Sequence, residues 1–261
     1  METIMKSHLR KVLLWLCVWC CTLSVTAQEP GPYYLSLKRE IVYGGVGLGT
    51  LGLGTYLRSQ VGELTLMDLN IREINSFDRI ATEMSSPTAD KWSDYTLYAS
   101  LGISGTLLLG RETRRDFLKI SVLFMEVMAI SNGLTQISKS IFQRPRPYVF
   151  DEHWDPIRIL SSNDRAAFVS GHTSESAAGT FFFARVFSDY YPDSKLKPFI
   201  WGLSIGMPAL TGYLRIRSGN HYPTDVIAGY VLGAAVGYLV PTLHKKVFRR
   251  PQKKMTPNPN F

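Results

Sequence analysis

The sequence predicts an all-α protein, a bundle of about six core helices embedded in a membrane. An additional amphipathic helix is expected at the membrane interface. Composition is the first indication, because only 19% of the residues are charged, fewer than in an average soluble domain. The second is a set of six apolar windows, each too long for a typical strand. The windows cover 41–57, 96–110, 117–138, 176–187, 198–214 and 226–243.

Residues 1–27 have the pattern of a secretory signal peptide or an uncleaved N-terminal anchor. Basic residues precede an apolar run that begins at Val12, and the small residues Thr26 and Ala27 follow it. The chain's three cysteines all lie inside this segment: Cys17, Cys20 and Cys21. Cleavage would therefore leave a chain without disulfides, cysteine–zinc sites or cysteine nucleophiles.

The main domain is predicted over 28–247. Its first window, 41–57, contains six glycines, and Gly47-x-Gly49-x-x-Gly52 matches a dinucleotide-binding pattern in letters only, because no βαβ unit surrounds it. Glycines four apart, such as Gly45 and Gly49, instead indicate close helix packing. Whether this window crosses the membrane or packs as a re-entrant piece stays open. Mixed three- and four-residue apolar spacing predicts the amphipathic interfacial helix over 60–95.

Charge placement predicts a topology. The net charge is +8, and a basic run precedes and enters the predicted disordered tail 248–261. Basic loops favour the cytoplasmic side, so the turn 111–115 and the C-terminus are expected there, with the loops after 138 and 214 outside. So short a strip favours anionic lipid or solvent over nucleic acid as a partner.

Three segments carry residues that helix packing does not require. The first ends the window 117–138, where Lys139, Arg144 and Arg146 collect beside two prolines that terminate the helix. Three cations are therefore expected at the C-terminal end of one helix. For Arg144, a role in the site and a simple contact with lipid headgroups remain equally open.

The second segment is Ser170-Gly171-His172, followed by a helix predicted from about Ser174. A hydroxyl, a glycine backbone and a helix N-terminus together form a cradle of N–H groups for an anion. A histidine at this position can pass a proton to whatever the cradle holds.

The third segment runs from Arg215 to Asp225 and opens the last apolar window. Pro223 suits the first turn of a helix, which places His221 just before it and lets Asp225 turn back to the imidazole N–H. A carboxylate there would orient the ring and make its other nitrogen more nucleophilic. Together the three segments predict a site for a tetrahedral, multiply charged anion.

In these motifs the chain resembles the type 2 phosphatidic acid phosphatase superfamily, which includes bacterial acid phosphatases and vanadium haloperoxidases. The family signature is Lys, six residues, Arg-Pro; Pro-Ser-Gly-His; and Ser-Arg, five residues, His, three residues, Asp. The matching segments here start at Lys139, Val169 and Leu214. Val169 replaces the proline and Leu214 the serine, and neither position carries the chemistry.

The resemblance implies a role for each matched residue. His221 would attack phosphorus to form a phosphohistidine, Asp225 would orient it, and His172 would protonate the leaving alkoxide and then activate water. The remaining residues would bind the phosphate oxygens: Lys139, Arg146, Ser170, Gly171 and Arg215. Fixed cations take the place of Mg²⁺, so neither a metal nor a cofactor is expected.

A phosphate site beside lipid-embedded helices implies a lipid phosphate as substrate, of lipid A, undecaprenyl pyrophosphate, phosphatidylglycerol phosphate or phosphatidate type. The expected location is a bacterial inner membrane, with the site facing the periplasm. A soluble periplasmic acid phosphatase is the main alternative; a vanadium haloperoxidase and a non-enzymatic membrane protein are further ones. The oligomeric state is left open.

Overall fold

The computed structural model of the chain describes residues 31–151 and 161–245, and these residues form a helical bundle. The helices are α1 (Leu37–Ser59), α2 (Ser76–Arg79), α3 (Pro87–Gly105), α4 (Arg111–Arg115), α5 (Phe117–Phe142), α6 (Gly171–Tyr190), α7 (Lys197–Arg217) and α8 (Pro223–Leu243). The described part contains no β-sheet, only an isolated bridge between Tyr33 and Lys245. The all-α prediction is confirmed, and each apolar window falls on one of the six long helices or its 3₁₀ extension. The segments 1–27 and 248–261 lie outside the described residues.

Helix α6 is the centre of the bundle, where it packs against α3, α5, α7 and α8. Its buried side chains Phe182 and Val186 belong to the main apolar cluster, together with Leu123 and Val127 of α5 and Val236 of α8. Helix α1 lies outside this group and packs along α5. The core therefore holds α5, α6 and α8 together, and these three helices, with the end of α7, carry the segments singled out in the sequence.

A row of glycines brings α8 unusually close to α6. A Cβ added to Gly229, Gly233 or Gly237 would lie 2.5, 1.9 or 2.4 Å from a backbone carbonyl oxygen of α6. The carbonyls belong, in the same order, to Ser170, Ser174 and Ala178. Because both residue numbers rise together, the helices run parallel and their N-termini lie side by side. This places the segment around His172 next to the segment around His221.

Gly233→Ala is expected to destabilise the bundle by roughly 1–3 kcal/mol or more, because the new methyl group meets backbone rather than a movable side chain. Gly206→Ala on α7 is the matched control. Nothing lies within 4 Å of its added Cβ, so alanine there should be neutral or stabilising by up to about 1 kcal/mol. Thermal unfolding of both variants in detergent tests the pair, and equal midpoints would contradict the close approach.

The glycines of 41–57 that pack against another helix are not the predicted ones. Gly45 and Gly49 have open space around them, whereas Gly47 and Gly54 face α5. A Cβ on Gly54 would lie 2.7 Å from the carbonyl oxygen of Gly133, and one on Gly133 would lie 2.5 Å from the backbone nitrogen of Leu51. The sequence predicted the close approach correctly but assigned it to the wrong glycines.

Residues 60–95 form several short turns followed by α3 rather than one amphipathic helix. The 3₁₀ turns Leu66–Asp68, Ile71–Glu73 and Ile80–Glu83 flank α2. Side chains of Asn70, Asn75 and Ser86 each accept a backbone N–H two or three residues ahead, which starts a new turn each time. Polar caps at this frequency divide the segment, and the folded turns cover the end of the bundle that holds the three motifs.

Candidate active site

The three predicted segments meet at one end of the bundle. The backbone N–H of Ala167 donates to the carbonyl of Arg144 at 3.1 Å, which joins the loop after α5 to the loop before α6. The N–H of Ser170 donates to the carbonyl of Asp225 at 3.0 Å, which joins α6 to α8. Backbone contacts, not only side chains, thus fix the relative position of the segments.

His221 is buried, with 1% of its surface exposed. Its Nδ1 lies 2.8 Å from the carbonyl oxygen of Ala167, and because a carbonyl only accepts, Nδ1 carries the proton. Burial lowers the pKa of His221 well below its usual value, and the positive charges of Arg146 and Arg215 act in the same direction. The imidazole is therefore neutral, and its lone pair is on Nε2.

Asp225 does not make the predicted hydrogen bond to His221. Its Oδ2 lies 3.7 Å from the Nδ1 of His221 and accepts the backbone N–H of Tyr222 at 2.8 Å instead. Its Oδ1 accepts from Arg144 at 2.6 Å. The carboxylate sits in the first turn of α8 and binds the N–H just before it, as acidic residues there commonly do, so the partner of the ring N–H is Ala167.

Arg144 is part of the site, which decides the alternative that the sequence left open. Its guanidinium bridges two buried carboxylates, Asp225 at 2.6 Å and Asp78 at 2.8 Å. It also lies over the ring of Tyr222, 3.9 Å from the centroid. The side chain therefore holds the start of α8 against the turns before α3 and does not extend towards headgroups.

Asp78 is a supporting residue that sequence reasoning missed. It is fully buried and accepts hydrogen bonds from the backbone N–H and the hydroxyl of Thr224, at 3.0 and 2.6 Å, and from the amide of Asn75 at 2.7 Å. These contacts place α2 against the N-terminus of α8. In the sequence, Asp78 is one of many charged residues in a polar segment, without a local signal of its own.

Arg146 and Arg215 are both buried and are held in place by a shared pair of residues. The Nη1 of Arg146 donates to Asn220 Oδ1 at 3.1 Å, and Asn220 Nδ2 donates to Asp90 at 2.9 Å. Arg215 Nη1 donates to the same oxygen of Asp90 at 2.6 Å. Asn220 and Asp90 thus connect two predicted phosphate ligands, and the sequence analysis identified neither.

His172 lies in the first turn of α6, which begins at Gly171, three residues earlier than predicted. Its Nε2 is 2.8 Å from Asp94 Oδ1 on α3. Burial lowers the pKa of His172 to about 4, and Arg215 contributes in the same direction, while the hydrogen bond to Asp94 opposes the shift. The ring is therefore neutral at pH 7. Asp94 is a further partner that sequence reasoning missed.

Lys139 and the start of α6 face each other closely. A Cβ on Gly171 would lie 3.3 Å from the Lys139 Nζ, so glycine gives the ammonium room beside the helix N-terminus. The buried Ser170 hydroxyl is 2.9 Å from the hydroxyl of Thr173 and does not cap the helix. The Lys139 side chain, the Ser170 hydroxyl and the N-terminus of α6 thus lie close together.

Acid is expected to destabilise the protein through His172. An unfolded histidine binds its proton near pH 6.5, whereas folded His172 binds it only near pH 4. Between these values the unfolded chain holds more protons, so the free energy of unfolding decreases as the pH is lowered, by up to about 1.4 kcal/mol per pH unit. Unfolding midpoints of His172→Gln should fall less between pH 6.5 and 4.5 than those of wild type.

Arg217→Ala is the control for this experiment, because Arg217 is exposed at the end of α7. Its midpoints should follow those of the wild type across the pH range. Parallel curves for all three proteins would contradict the low pKa of His172.

The assembled site combines a high density of positive charge with two neutral imidazoles. Lys139, Arg146 and Arg215 all act electrostatically on His221, and the N-terminus of the 20-residue helix α6 adds its dipole. Such an arrangement suits a multiply charged oxyanion, next to one imidazole with a free lone pair and another that can exchange a proton.

Part of the chain is similar in sequence to known proteins. The model of the PAP2 superfamily matches residues 121–249. The chain is 24% identical over 136 residues to a lipid A 4'-phosphatase from Porphyromonas gingivalis, and 27% identical over 143 residues to an undecaprenyl-diphosphatase from Sulfolobus acidocaldarius. These alignments cover 51% and 54% of the chain, but only 54% and 62% of the two relatives.

The fold is also that of a solved membrane phosphatase. The crystal structure of a transmembrane PAP2-type phosphatidylglycerolphosphate phosphatase from Bacillus subtilis superposes with a TM-score of 0.51 at 19% identity, covering 78% of this chain and 98% of that one. The residues matched by the family model include all three segments that meet at the site. Over residues 121–249, which carry the candidate site, the chain matches the PAP2 superfamily.

Proposed function

We propose that this protein is a metal-independent phosphatase that removes a phosphate group from a membrane lipid through a phosphohistidine on His221. The observation that carries the proposal is the state of that imidazole. It is buried, neutral and fixed through Nδ1 to a carbonyl, so Nε2 is a free nucleophile at neutral pH. The positive charges of Lys139, Arg146 and Arg215 act on this imidazole. Positive charge at this position would stabilise a phosphoryl group during its transfer.

In the first step, Nε2 of His221 attacks phosphorus and the bond from phosphorus to the ester oxygen breaks. A phosphate anion next to His172 favours the protonated form of that imidazole, which then gives its proton to the leaving alkoxide. In the second step, neutral His172 takes a proton from water, and the hydroxide attacks phosphorus. The bond to Nε2 breaks, which releases inorganic phosphate and restores His221.

The electrostatic contribution comes from groups already fixed before substrate binds. Lys139, Arg146 and Arg215, with the Ser170 hydroxyl and the Gly171 N–H, are the proposed ligands of the phosphate oxygens. Arg146 and Arg215 are held by Asn220 and Asp90, so little reorganisation is needed when charge develops in the transition state.

A lipid substrate is favoured by the surface of the bundle. The segments Phe117–Phe150 and Pro223–Leu243 are long and apolar enough to cross a membrane. Large apolar side chains are also exposed on the long helices, among them Ile41, Leu48, Phe199, Ile227 and Val231. A surface of this kind fits contact with lipid. The two curated relatives, named for a lipid A phosphate and an undecaprenyl diphosphate, indicate which head groups to test first.

The proposed orientation follows the basic residues. Arg111, Arg114 and Arg115 form the turn before α5, at the opposite end of that helix from Lys139. Since basic loops favour the cytoplasm, the site would face the external side, which is the periplasm if the protein lies in a bacterial inner membrane.

A phosphate-release panel tests the function. The detergent-purified protein would be given lipid A, undecaprenyl pyrophosphate, phosphatidylglycerol phosphate, phosphatidate and the water-soluble p-nitrophenyl phosphate. We expect at least one lipid to exceed the soluble ester in kcat/KM by about 100-fold, with initial rates unchanged by EDTA and inhibited by vanadate. Equal rates on the soluble ester, with release from membranes by alkaline wash, would instead identify the soluble acid phosphatase. A strict Mg²⁺ requirement would overturn the mechanism.

A further inference from the structure

A second cluster of ionisable side chains lies far from the proposed phosphate site. It consists of Glu40 on α1, Glu126 on α5 and His244 directly after α8. Glu126 precedes Lys139 by 13 positions on the same helix, about 20 Å at the rise of an α-helix. His244 follows Pro223 by 21 positions, about 30 Å along α8. The cluster is thus near the other end of the bundle.

The three side chains point at one another in a buried place. His244 is completely buried and Glu126 is 6% exposed. The Nε2 of His244 lies 3.3 Å from Glu126 Oε2 and 3.7 Å from Glu40 Oε1, and all three ligand atoms lie within 4.8 Å of one another. Around a tetrahedral ion with bonds of about 2.0–2.1 Å, ligand atoms are about 3.4 Å apart. The separations are therefore close to those of a metal site.

Four polar atoms of this cluster are without a geometric hydrogen-bond partner in the described part of the chain. Both carboxylate oxygens of Glu40, Oε2 of Glu126 and Nε2 of His244 are buried and unpaired. Buried carboxylate oxygens without partners are costly, and here two carboxylates converge on one imidazole. Some positive charge between them would remove this cost.

The orientation of His244 indicates that the positive charge between the carboxylates is a metal ion. Its Nδ1 lies 2.8 Å from the carbonyl oxygen of Val240, so Nδ1 carries a proton, and Nε2 faces the two carboxylates. A histidine that donates one ring N–H to a backbone carbonyl and points its other nitrogen at acidic oxygens has the usual arrangement of a metal ligand. The ring of Tyr43, 4.9 Å away between centroids, packs beside it.

We propose that Glu40, Glu126 and His244 bind one divalent transition-metal ion, with Zn²⁺ as the expected occupant. One imidazole nitrogen and two carboxylate oxygens suit Zn²⁺ better than Mg²⁺ or Ca²⁺, which prefer oxygen ligands only. The ion neutralises both carboxylates and connects α1, α5 and the end of α8. Its role is to stabilise the bundle, and it takes no part in the proposed phosphate chemistry.

Metal binding can be measured directly on the full chain, purified through a tag without histidines and stripped with a chelator. We expect one Zn²⁺ per chain by elemental analysis and titration, and visible d–d absorption when Co²⁺ is used instead. Zn²⁺ at a hundredfold excess over its Kd should raise the unfolding midpoint by roughly 5 °C or more. The initial rate of phosphate release at low temperature should stay unchanged.

Four variants distinguish this site from other zinc binding. Glu126→Gln keeps the side-chain shape and should weaken Zn²⁺ binding at least tenfold, with loss of the stabilisation. Glu40→Gln, at a less buried position, should do the same and remains usable if Glu126→Gln fails to fold. Glu112→Gln is an exposed control, and His172→Gln a control at the other end; both should bind Zn²⁺ like the wild type.

Two results would overturn the proposal: no stoichiometric Zn²⁺ on the wild-type chain, or equal Zn²⁺ affinity in wild type, Glu126→Gln and Glu40→Gln. The first result would leave a proton as the charge between the carboxylates. Neither result bears on the phosphatase proposal, which is tested by phosphate release.

Discussion

Replacing His221 with glutamine is expected to lower kcat/KM for phosphate release by about 10⁴-fold or more, the scale of loss seen when a covalent nucleophile is removed. Glutamine can still donate an N–H to the carbonyl of Ala167, which His221 does at 2.8 Å, but it has no nitrogen lone pair with which to attack phosphorus. The measurement is the steady-state rate on the best lipid substrate of the panel.

Two controls separate loss of chemistry from loss of structure. The unfolding midpoint of His221→Gln should stay within a few degrees of wild type, because the buried hydrogen bond is kept. His172→Gln should lose activity by a smaller factor of about 10²–10⁴, the range typical of a general acid or base. A His221→Gln protein that keeps a tenth of the wild-type rate would exclude the proposed nucleophile.

Arg144→Ala is expected to destabilise the protein by about 3–5 kcal/mol, the cost of leaving buried charges unpaired. The guanidinium bridges Asp78 and Asp225, both fully buried, so its removal leaves two uncompensated carboxylates. Activity should also fall, because these contacts position the start of α8 and, with it, His221. Unfolding midpoints and phosphate-release rates measure the two effects.

Two further variants serve as controls for Arg144→Ala. Arg217→Ala removes an exposed arginine near the same end of the bundle and should change stability by no more than about 0.5 kcal/mol. Asp78→Asn combined with Arg144→Ala should cost less than the two single changes added together, since it removes one of the stranded charges. Additive effects would show that Arg144 and Asp78 do not interact in solution.

The long helices and the three motif segments could be predicted from sequence for a simple physical reason. Apolar residues at helical length and the prolines that end or begin helices, such as Pro223, are local features of the chain. The short segments around Lys139, His172 and His221 also combine residue types that packing alone does not need. Their meeting at one end of the bundle was a prediction from chemistry, and the hydrogen bonds between the segments agree with it.

The supporting residues could not be predicted, because each depends on a contact between distant parts of the chain. Asp78, Asp90 and Asp94 lie in a segment where acidic residues are common, and only the fold brings them to Arg144, Arg215 and His172. His244 stands beside the basic run in the sequence, yet it is completely buried. Nothing in the local sequence around a polar residue indicates a partner that is distant along the chain.

The assignment of Asp225 illustrates the same limit within one turn of helix. A spacing of four residues allowed a hydrogen bond to the ring of His221. The carboxylate of Asp225 instead accepts hydrogen bonds from the N–H of Tyr222 and from Arg144. Spacing states which contacts are within reach. The competition among partners decides which of them forms.

The central claim, a phosphoryl group carried by the imidazole of His221, is tested most directly by trapping. The enzyme would be mixed with a ³²P-labelled lipid phosphate, quenched at alkaline pH within milliseconds to preserve phosphohistidine, digested and mapped by mass spectrometry. The account predicts label on His221 in the wild type, more of it in His172→Gln, where hydrolysis of the intermediate is slowed, and none in His221→Gln. Active enzyme that never carries label on His221 in either background would contradict it.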